Sequence, residues 1–140
     1  MSRIFLDTAP IVYLLDPNPQ WRPLVAKLFS SYPPETELIS SVLTLMECAV
    51  KPRRDGDARI LARLEEFWRS GLAWHVPIDE EIARRATLLR ARYEFLRAID
   101  ALQLACALSA GCTSFVTNDK KLKQVSELPI LCLLDLAGAL

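Results

Sequence analysis

Ile4-Phe5-Leu6-Asp7-Thr8-Ala9-Pro10-Ile11-Val12-Tyr13-Leu14-Leu15 is the stretch whose reading decides the fold. Residues 3 to 7 form a short, almost wholly apolar run closing on Asp-Thr, which reads as a buried strand. Ala9 to Leu15 then reads as a brief helix with Pro10 in its first turn, where the missing N–H would be unpaired anyway. A strand without a polar face, followed at once by a helix, implies a parallel sheet covered on both sides.

Outward from that unit the alternation repeats. Pro17-Asn18-Pro19 breaks the first helix. Trp21, Leu24, Val25, Leu28, Phe29 and Tyr32 recur at helical spacing until Pro33-Pro34 stops them. Glu37 to Ser40 reads as a second strand. Ser41 is a good N-cap for a helix to about Val50, and Lys51 to Gly56 reads as a loop. Ile60, Leu61, Leu64, Phe67 and Trp68 mark a helix closed by Gly71, and Trp74 to Val76 a third strand. Asp79 caps a helix with Glu80 and Glu81 favourably set against its dipole and Ile82, Ala86, Leu89 and Tyr93 on its inner stripe. Ile99 to Ala110 is apolar on every face apart from Asp100 and Gln103, so this helix is central, and Gly111 ends it. Ser114 to Thr117 is a strand, Asp119 opens a helical turn, Ile130 to Leu133 is a final strand, and a terminal turn of helix is expected from Asp135.

The expected fold is therefore α/β, a three-layer sandwich around a mostly parallel sheet of about five strands. It occupies residues 1–140 as a single domain. Ligands in such folds gather outside the carboxyl ends of the strands, where the strand order reverses.

Half of the 140 residues are hydrophobic and a quarter are charged, a globular composition. No apolar run reaches the roughly 20 residues a membrane span needs. The strand-like start at Arg3 leaves no room for a signal peptide, so a cytoplasmic protein without membrane association is expected. Net charge is zero, so no global field attracts nucleic acid. Positive charge is local instead, in Arg84, Arg85, Arg90, Arg92 and Arg97, in Lys120, Lys121 and Lys123, and in Arg53 and Arg54. Cys48, Cys106, Cys112 and Cys132 have no Cys-x-x-Cys or zinc spacing, and three of them lie in apolar runs and read as small buried hydrophobes. With His75 alone, neither a zinc site nor a histidine-based triad is available.

Chemistry is carried by lone acids in apolar surroundings. Asp7 sits in the opening stretch, Glu47 is the only charge in residues 38 to 50, and Asp100 is the only charge between Ala98 and Asn118. Asp119 follows directly on the apolar strand ending at Thr117. An ionised carboxylate buried alone costs several kcal/mol, so four of them ask for a shared compensating charge, most simply a divalent cation. All-oxygen ligands suit Mg²⁺ or Mn²⁺. A cation there would serve metal-assisted phosphodiester hydrolysis, with Thr8 and Thr117 supplying hydroxyls to orient a carboxylate or a water. Asp7, Asp100 and Asp119 each have a second reading as a helix N-cap. Glu47, mid-helix, has none, and its alternative is an exposed helix edge.

Leu6-Asp7-Thr8-Ala9-Pro10, Glu47 in Leu-Thr-Leu-Met-Glu, Ile99-Asp100-Ala101-Leu102-x-Leu104-Ala105-x-Ala107 and Thr117-Asn118-Asp119 together resemble the signature of the PIN domain. The resemblance covers essentially the whole chain and is greatest to the VapC-type toxins of toxin–antitoxin pairs. It implies a flavodoxin-like sandwich and a Mg²⁺- or Mn²⁺-dependent endoribonuclease. Asp7, Glu47, Asp100 and Asp119 map onto the family's acidic quartet, the first and third as direct metal ligands. It also implies a homodimer and a cognate antitoxin that inserts a segment into the acidic groove. A further acid that some members carry close after the fourth is replaced here by Lys121 and Leu122. RNA phosphates repelled by four acids need basic residues at the rim, for which Lys120, Lys121, Arg53, Arg54 and Arg97 are the candidates.

Two other phosphoryl-transfer folds are poor matches. A haloacid-dehalogenase-type phosphatase needs a second Asp two positions after the first, and position 9 is Ala. A receiver domain needs an acidic pair at the end of the first strand, and Asp7 is followed by Thr8. The remaining rival is a PIN-like module that binds RNA or a partner without cutting. The sequence leaves open whether the apolar faces of Trp21 to Tyr32 and Phe67-Trp68 pack internally or against another protein.

Overall fold

Strand β1 (Arg3–Leu6) turns Phe5 to one face of the sheet and Ile4 and Leu6 to the other, and all three are buried. That division is what a strand sandwiched between two helical layers requires. The computed structural model describes residues 2–17 and 20–137. In it β1 lies at the centre of five parallel strands with β2 (Glu37–Ser41), β3 (Trp74–Val76), β4 (Ser114–Thr117) and β5 (Ile130–Cys132), in the order β3-β2-β1-β4-β5. Phe5 stands in register with Phe115 of β4, and their rings stack with centroids 5.2 Å apart.

The Phe5 face is covered by α5 (Glu80–Arg92) and α6 (Ala98–Ser109), whose Ile82, Ala86, Leu89, Leu104 and Ala105 are buried with it. The Ile4 and Leu6 face is covered by α1 (Thr8–Leu15), α2 (Arg22–Ser31), α3 (Val42–Asp55), α4 (Ala58–Glu66) and α7 (Leu133–Ala137). The expected three-layer α/β sandwich is thus the observed one, and its sheet is parallel throughout. The apolar faces left open by the sequence turn inward: Leu24, Val25 and Trp68 are buried, and Leu28, Phe29, Tyr32 and Phe67 pack against them. Burial, expected of three cysteines, extends to all four, which are free thiols. No helix among the described residues is long and apolar enough to cross a membrane.

One element was misread. The loop expected over Lys51 to Gly56 is instead the last turn of α3, with Pro52 inside the helix. Pro52 removes one helical hydrogen bond, a change that usually breaks a helix. Here its ring is buried, lining a cavity with Val12, Leu15, Cys48 and Ile60. Its carbonyl accepts from Asp57 N at 2.8 Å, and Gly56 closes the helix at φ +66°, a conformation glycine adopts without strain. Asp57 then caps α4. The break expected at Pro17-Asn18-Pro19 falls partly outside the described residues, as does the end of the terminal helical turn.

Helices α3 and α6 lie on opposite layers yet are fixed to one another by a buried polar clamp at the end of β2. Gln103 Nε2 donates to Thr44 Oγ1 at 2.6 Å, and the Ser41 hydroxyl donates to Gln103 Oε1. Ser41 Oγ also accepts from Leu43 N, so one side chain caps α3 and ties it to α6. Ser41, Thr44 and Gln103 are all buried, and buried polar groups are stabilising only while paired. Gln103→Ala strands two hydroxyls and leaves a cavity, so it should lower the unfolding free energy by about 2–4 kcal/mol. The measure is the urea midpoint at unchanged slope. A loss below about 1 kcal/mol would mean that the clamp does not hold the two layers.

Candidate functional site

The site begins where β1 and β4 part. Asp7, the residue after β1, keeps its N–H on Val116 O of β4 at 3.0 Å. From there α1 leaves onto one face of the sheet, burying Ile11 and Leu15, while the turn after β4 leaves onto the other, burying Leu122 and Val125. Two neighbouring strands whose continuations diverge leave a cleft at their carboxyl ends, the place expected for a ligand. That cleft is an open pocket of about 400 Å³.

Asp7, Glu47, Asp100 and Asp119 all line this pocket. Four elements deliver them: the end of β1, the second turn of α3, the first turn of α6 and the residue two beyond β4. Asp7 is held from two sides. Its Oδ1 accepts from Thr8 N at 2.9 Å and its Oδ2 from the buried Thr117 hydroxyl at 2.8 Å. Thr117 Oγ1 in turn accepts from Asp119 N at 3.1 Å, so one hydroxyl sets the positions of two acids. The Thr8 hydroxyl donates to Glu47 Oε1 at 2.8 Å. Both threonines thus orient carboxylates, as expected of them.

Two of the N-cap readings hold as well. Asp7 caps α1, and Asp119 caps the 3₁₀ turn Lys120–Gln124 through Lys121 N at 3.0 Å. Capping occupies one oxygen of each carboxylate and leaves the residue in the pocket wall, so the two roles are compatible. Asp100 is not a cap: it lies inside the first turn of α6, whose N-cap residue is Arg97.

The expectation of four carboxylates each buried without a partner needs correcting. Asp100 is buried, but Asp7, Glu47 and Asp119 are half-buried at the pocket wall. Asp100 already has a counter-charge, because Arg97 Nε lies 3.0 Å from its Oδ2 and Arg97 Nη2 3.4 Å from its Oδ1. Asp7 is the strained member. Desolvation by burial, helped by the charges of Asp100 and Glu47, pushes its carboxyl up to about 6 despite the bonds from Thr117 and Thr8. Cys48, next to Glu47, is no nucleophile: burial pushes its thiol up to about 12. As the side chains stand, no three His, Cys, Asp or Glu groups among the described residues gather closely enough to hold an ion together.

Of the basic residues singled out, only Arg97 lines the pocket. Lys120 and Lys121 are exposed on the turn directly after Asp119. Arg53 and Arg54 are exposed at the far end of α3, and Arg53 lines a separate groove with Val42, Met46 and Ala49. Tyr13 and Asn118 also line the pocket and were not identified from the sequence. Asn118 Nδ2 donates to the Tyr13 hydroxyl at 2.8 Å, and the Tyr13 ring stacks on Trp21. The adjacency of Asn118 to Asp119 was the one signal available for it.

The PIN domain family matches residues 4–128. No curated protein matched the chain. Among solved structures, a toxin–antitoxin complex from Klebsiella pneumoniae is similar at 22% identity and a TM-score of 0.64, covering 93% of this chain and 97% of that one. VapC20 of Mycobacterium tuberculosis, a sarcin–ricin loop cleaving toxin, aligns at 18% identity and a TM-score of 0.72, over 86% of this chain and 93% of its own. VapBC2 of Rickettsia felis, bound to a DNA fragment from its promoter, aligns at 17% identity and a TM-score of 0.72, over 93% and 98%. At these identities the likeness is one of fold.

The raised pKa of Asp7 fixes a pH dependence. Below about pH 4 the carboxyl is protonated folded and unfolded alike, and stability is unaffected. As pH rises from about 4 to about 6 the unfolded chain has released a proton that the fold still holds, so stability falls through that window and then stays low. Asp7→Asn should therefore be slightly less stable than the parent near pH 4, by the hydrogen bond its amide cannot accept. Above pH 7 in metal-free buffer it should be about 1–2 kcal/mol more stable, less than the full shift implies because the amide accepts fewer of the two hydrogen bonds. Chemical denaturation at the two pH values measures this, and a variant less stable at high pH would make the carboxylate a structural group.

Proposed function

The chain belongs to the PIN domain family, and on that premise we propose that it is an endoribonuclease that hydrolyses RNA phosphodiester bonds with Mg²⁺ or Mn²⁺. The observation that carries this reading is the convergence of Asp7, Glu47, Asp100 and Asp119, far apart in the chain, on one pocket at the switch point of the sheet. Their donor set is entirely carboxylate oxygen, which suits a hard divalent cation, and the strained Asp7 charge is one that such a cation would relieve. Asp7 and Asp100 would hold it directly, with Glu47 and Asp119 completing the negative wall. A cation so held would lower the pKa of a bound water and neutralise charge on the phosphoryl group.

The chain's own residues then have distinct tasks. Thr117 and Thr8 fix the directions of Asp7 and Glu47 and so keep two mutually repelling acids at a set spacing. The reaction adds the oxygen of water to phosphorus and releases a ribose oxygen. No enzyme nucleophile takes part, consistent with a Cys48 thiol that stays protonated. Lys120 and Lys121 beside Asp119, together with Arg97 at the pocket, attract the RNA backbone. Arg53 and Arg54 lie off this path. Unpaired or looped RNA suits a shallow acidic pocket better than a duplex does.

We further propose that the chain is a VapC-type toxin held in check by a cognate antitoxin, acting as a homodimer in the cytoplasm. The fold shared with the toxin–antitoxin complexes of Klebsiella pneumoniae and Rickettsia felis supports this, as does the family resemblance of all four acidic motifs. Cleavage of end-labelled RNA by the purified chain tests the reading. Activity should require Mg²⁺ or Mn²⁺ and vanish in EDTA. Asp100→Asn should reduce it by at least about 100-fold, and Thr117→Val by about 10- to 100-fold through the misdirected Asp7. RNA binding without cleavage under every metal condition would leave the non-catalytic module as the function.

A further inference from the structure

We propose that Arg97 is an internal counter-ion of the acid pocket: it holds Asp100 until a divalent cation takes that carboxylate, and is then free to pair with an RNA phosphate. This rests on the metal-dependent ribonuclease reading and adds a coupling to it. Cation and RNA would bind cooperatively because one releases the group that the other needs.

Four observations support the inference. Arg97 occupies both oxygens of Asp100, through Nε at 3.0 Å and Nη2 at 3.4 Å, so the carboxylate is engaged by a cationic side chain along its whole edge. Arg97 is also the only cation among the residues lining the pocket, and attraction from Asp119 and Glu47 adds to that of Asp100. Its position does nothing for the helix. It is the N-cap residue of α6 yet makes no capping bond, and a positive charge at a helix N-terminus opposes the dipole. Finally, the pair is lopsided: the Arg97 side chain is 74% exposed and that of Asp100 12%. An ion pair whose cation lies in water is weak, so Arg97 can be displaced without disturbing the fold.

These features describe a group that competes for Asp100 without locking it. A divalent cation carries twice the charge of a guanidinium and would prevail at the carboxylate. The released guanidinium remains tethered to the first turn of α6, in a pocket that has just lost negative charge, and has the planar geometry that suits phosphate. Reciprocity then requires that bound RNA, by drawing Arg97 away, tightens the cation.

Arg97→Gln separates these statements. In RNA-free protein the Mg²⁺ dissociation constant, by calorimetry, should fall about two- to fivefold, the size expected for removing a competitor in an exposed pair. At saturating Mg²⁺ the KM for RNA should rise about five- to tenfold, as for loss of one phosphate contact. Opposite movements, with the metal tighter and the RNA weaker, are the signature of the coupling. Arg97→Lys, which keeps the charge but not the fork, should fall between parent and Arg97→Gln on both measures. Arg92→Gln, which breaks an exposed pair with Glu127 away from the pocket, should change neither. Weakening of both ligands would make Arg97 a structural residue and overturn the proposal. A raised KM with unchanged Mg²⁺ affinity would make it a phosphate contact only, which also overturns it. If the parent itself binds no Mg²⁺, the ribonuclease reading fails first and the coupling with it.

Discussion

A single hydrogen bond, from the Thr117 hydroxyl to the Asp7 carboxylate, crosses the point at which the sheet reverses its order, and the pocket depends on it. On its two sides the chain goes to opposite layers, α1 to one face and the turn after β4 to the other. Without a tie across the gap, the two strand ends would be joined beyond the ladder only by Asp7 N to Val116 O. Threonine suits this position on two counts. Its β-branch fits the buried end of a strand, and its hydroxyl donates to Asp7 while accepting from Asp119 N. A serine would retain the bond but not the stiffness, and a valine the stiffness but not the bond.

The other half of the pocket is set by a different device. Glu47 and Asp100 arrive on α3 and α6, which approach the sheet from opposite layers and meet only beyond the end of β2. The buried Ser41–Gln103–Thr44 clamp is what relates them. Gln103 stands one turn after Asp100 and Thr44 one turn before Glu47, so the clamp sits directly beneath both acids in sequence spacing. Fixing the first turns of the two helices fixes the separation of their carboxylates. Polar groups in a core are costly when unpaired, and here they supply a definite geometry that apolar packing alone would leave free to slide.

Sequence legibility followed the physics of each part. β1 and β4 were readable because their central residues, Ile4 to Leu6 and Phe115 to Val116, are continuously apolar, as strands covered on both faces are. The caps at Ser41, Asp79 and Asp119 were readable because capping is local. The end of α3 was not, since Pro52 acts as a breaker unless its ring finds a buried seat, and that seat is built by Val12, Leu15 and Ile60 from elsewhere in the chain. Glu47 was the most informative acid because no local role accounts for it mid-helix, and its pairing with Thr8 bears that out. The full burial expected of the acids holds for Asp100 but not for Asp7, Glu47 and Asp119, for a related reason. Apolar neighbours in sequence report the walls of a segment, whereas a residue at the open end of a strand faces solvent whatever surrounds it in the chain. Tyr13 carried no signal, being an ordinary residue made relevant only by the cleft, and Asn118 carried only its adjacency to Asp119.

The electrostatics of the pocket follow from what the chain supplies and what it withholds. Four carboxylates line one pocket with a single guanidinium among its described lining residues, and the remaining compensation comes from neutral donors, namely Thr8, Thr117 and the backbone N–H groups that Asp7 and Asp119 cap. Neutral donors orient a charge but do not cancel it. Arg97 relieves Asp100 alone, and the residual repulsion, together with burial, appears as the raised pKa of Asp7. The fold therefore carries a standing destabilisation localised in one carboxyl group, which a well-packed neutral replacement would remove. On the proposed metal-dependent reading, the same uncompensated charge is what a small cation would satisfy, because binding free energy is largest where the free site is least satisfied. On that reading stability and function draw in opposite directions on Asp7, and the Thr117 hydroxyl and the Thr8 N–H hold that opposition in place without resolving it.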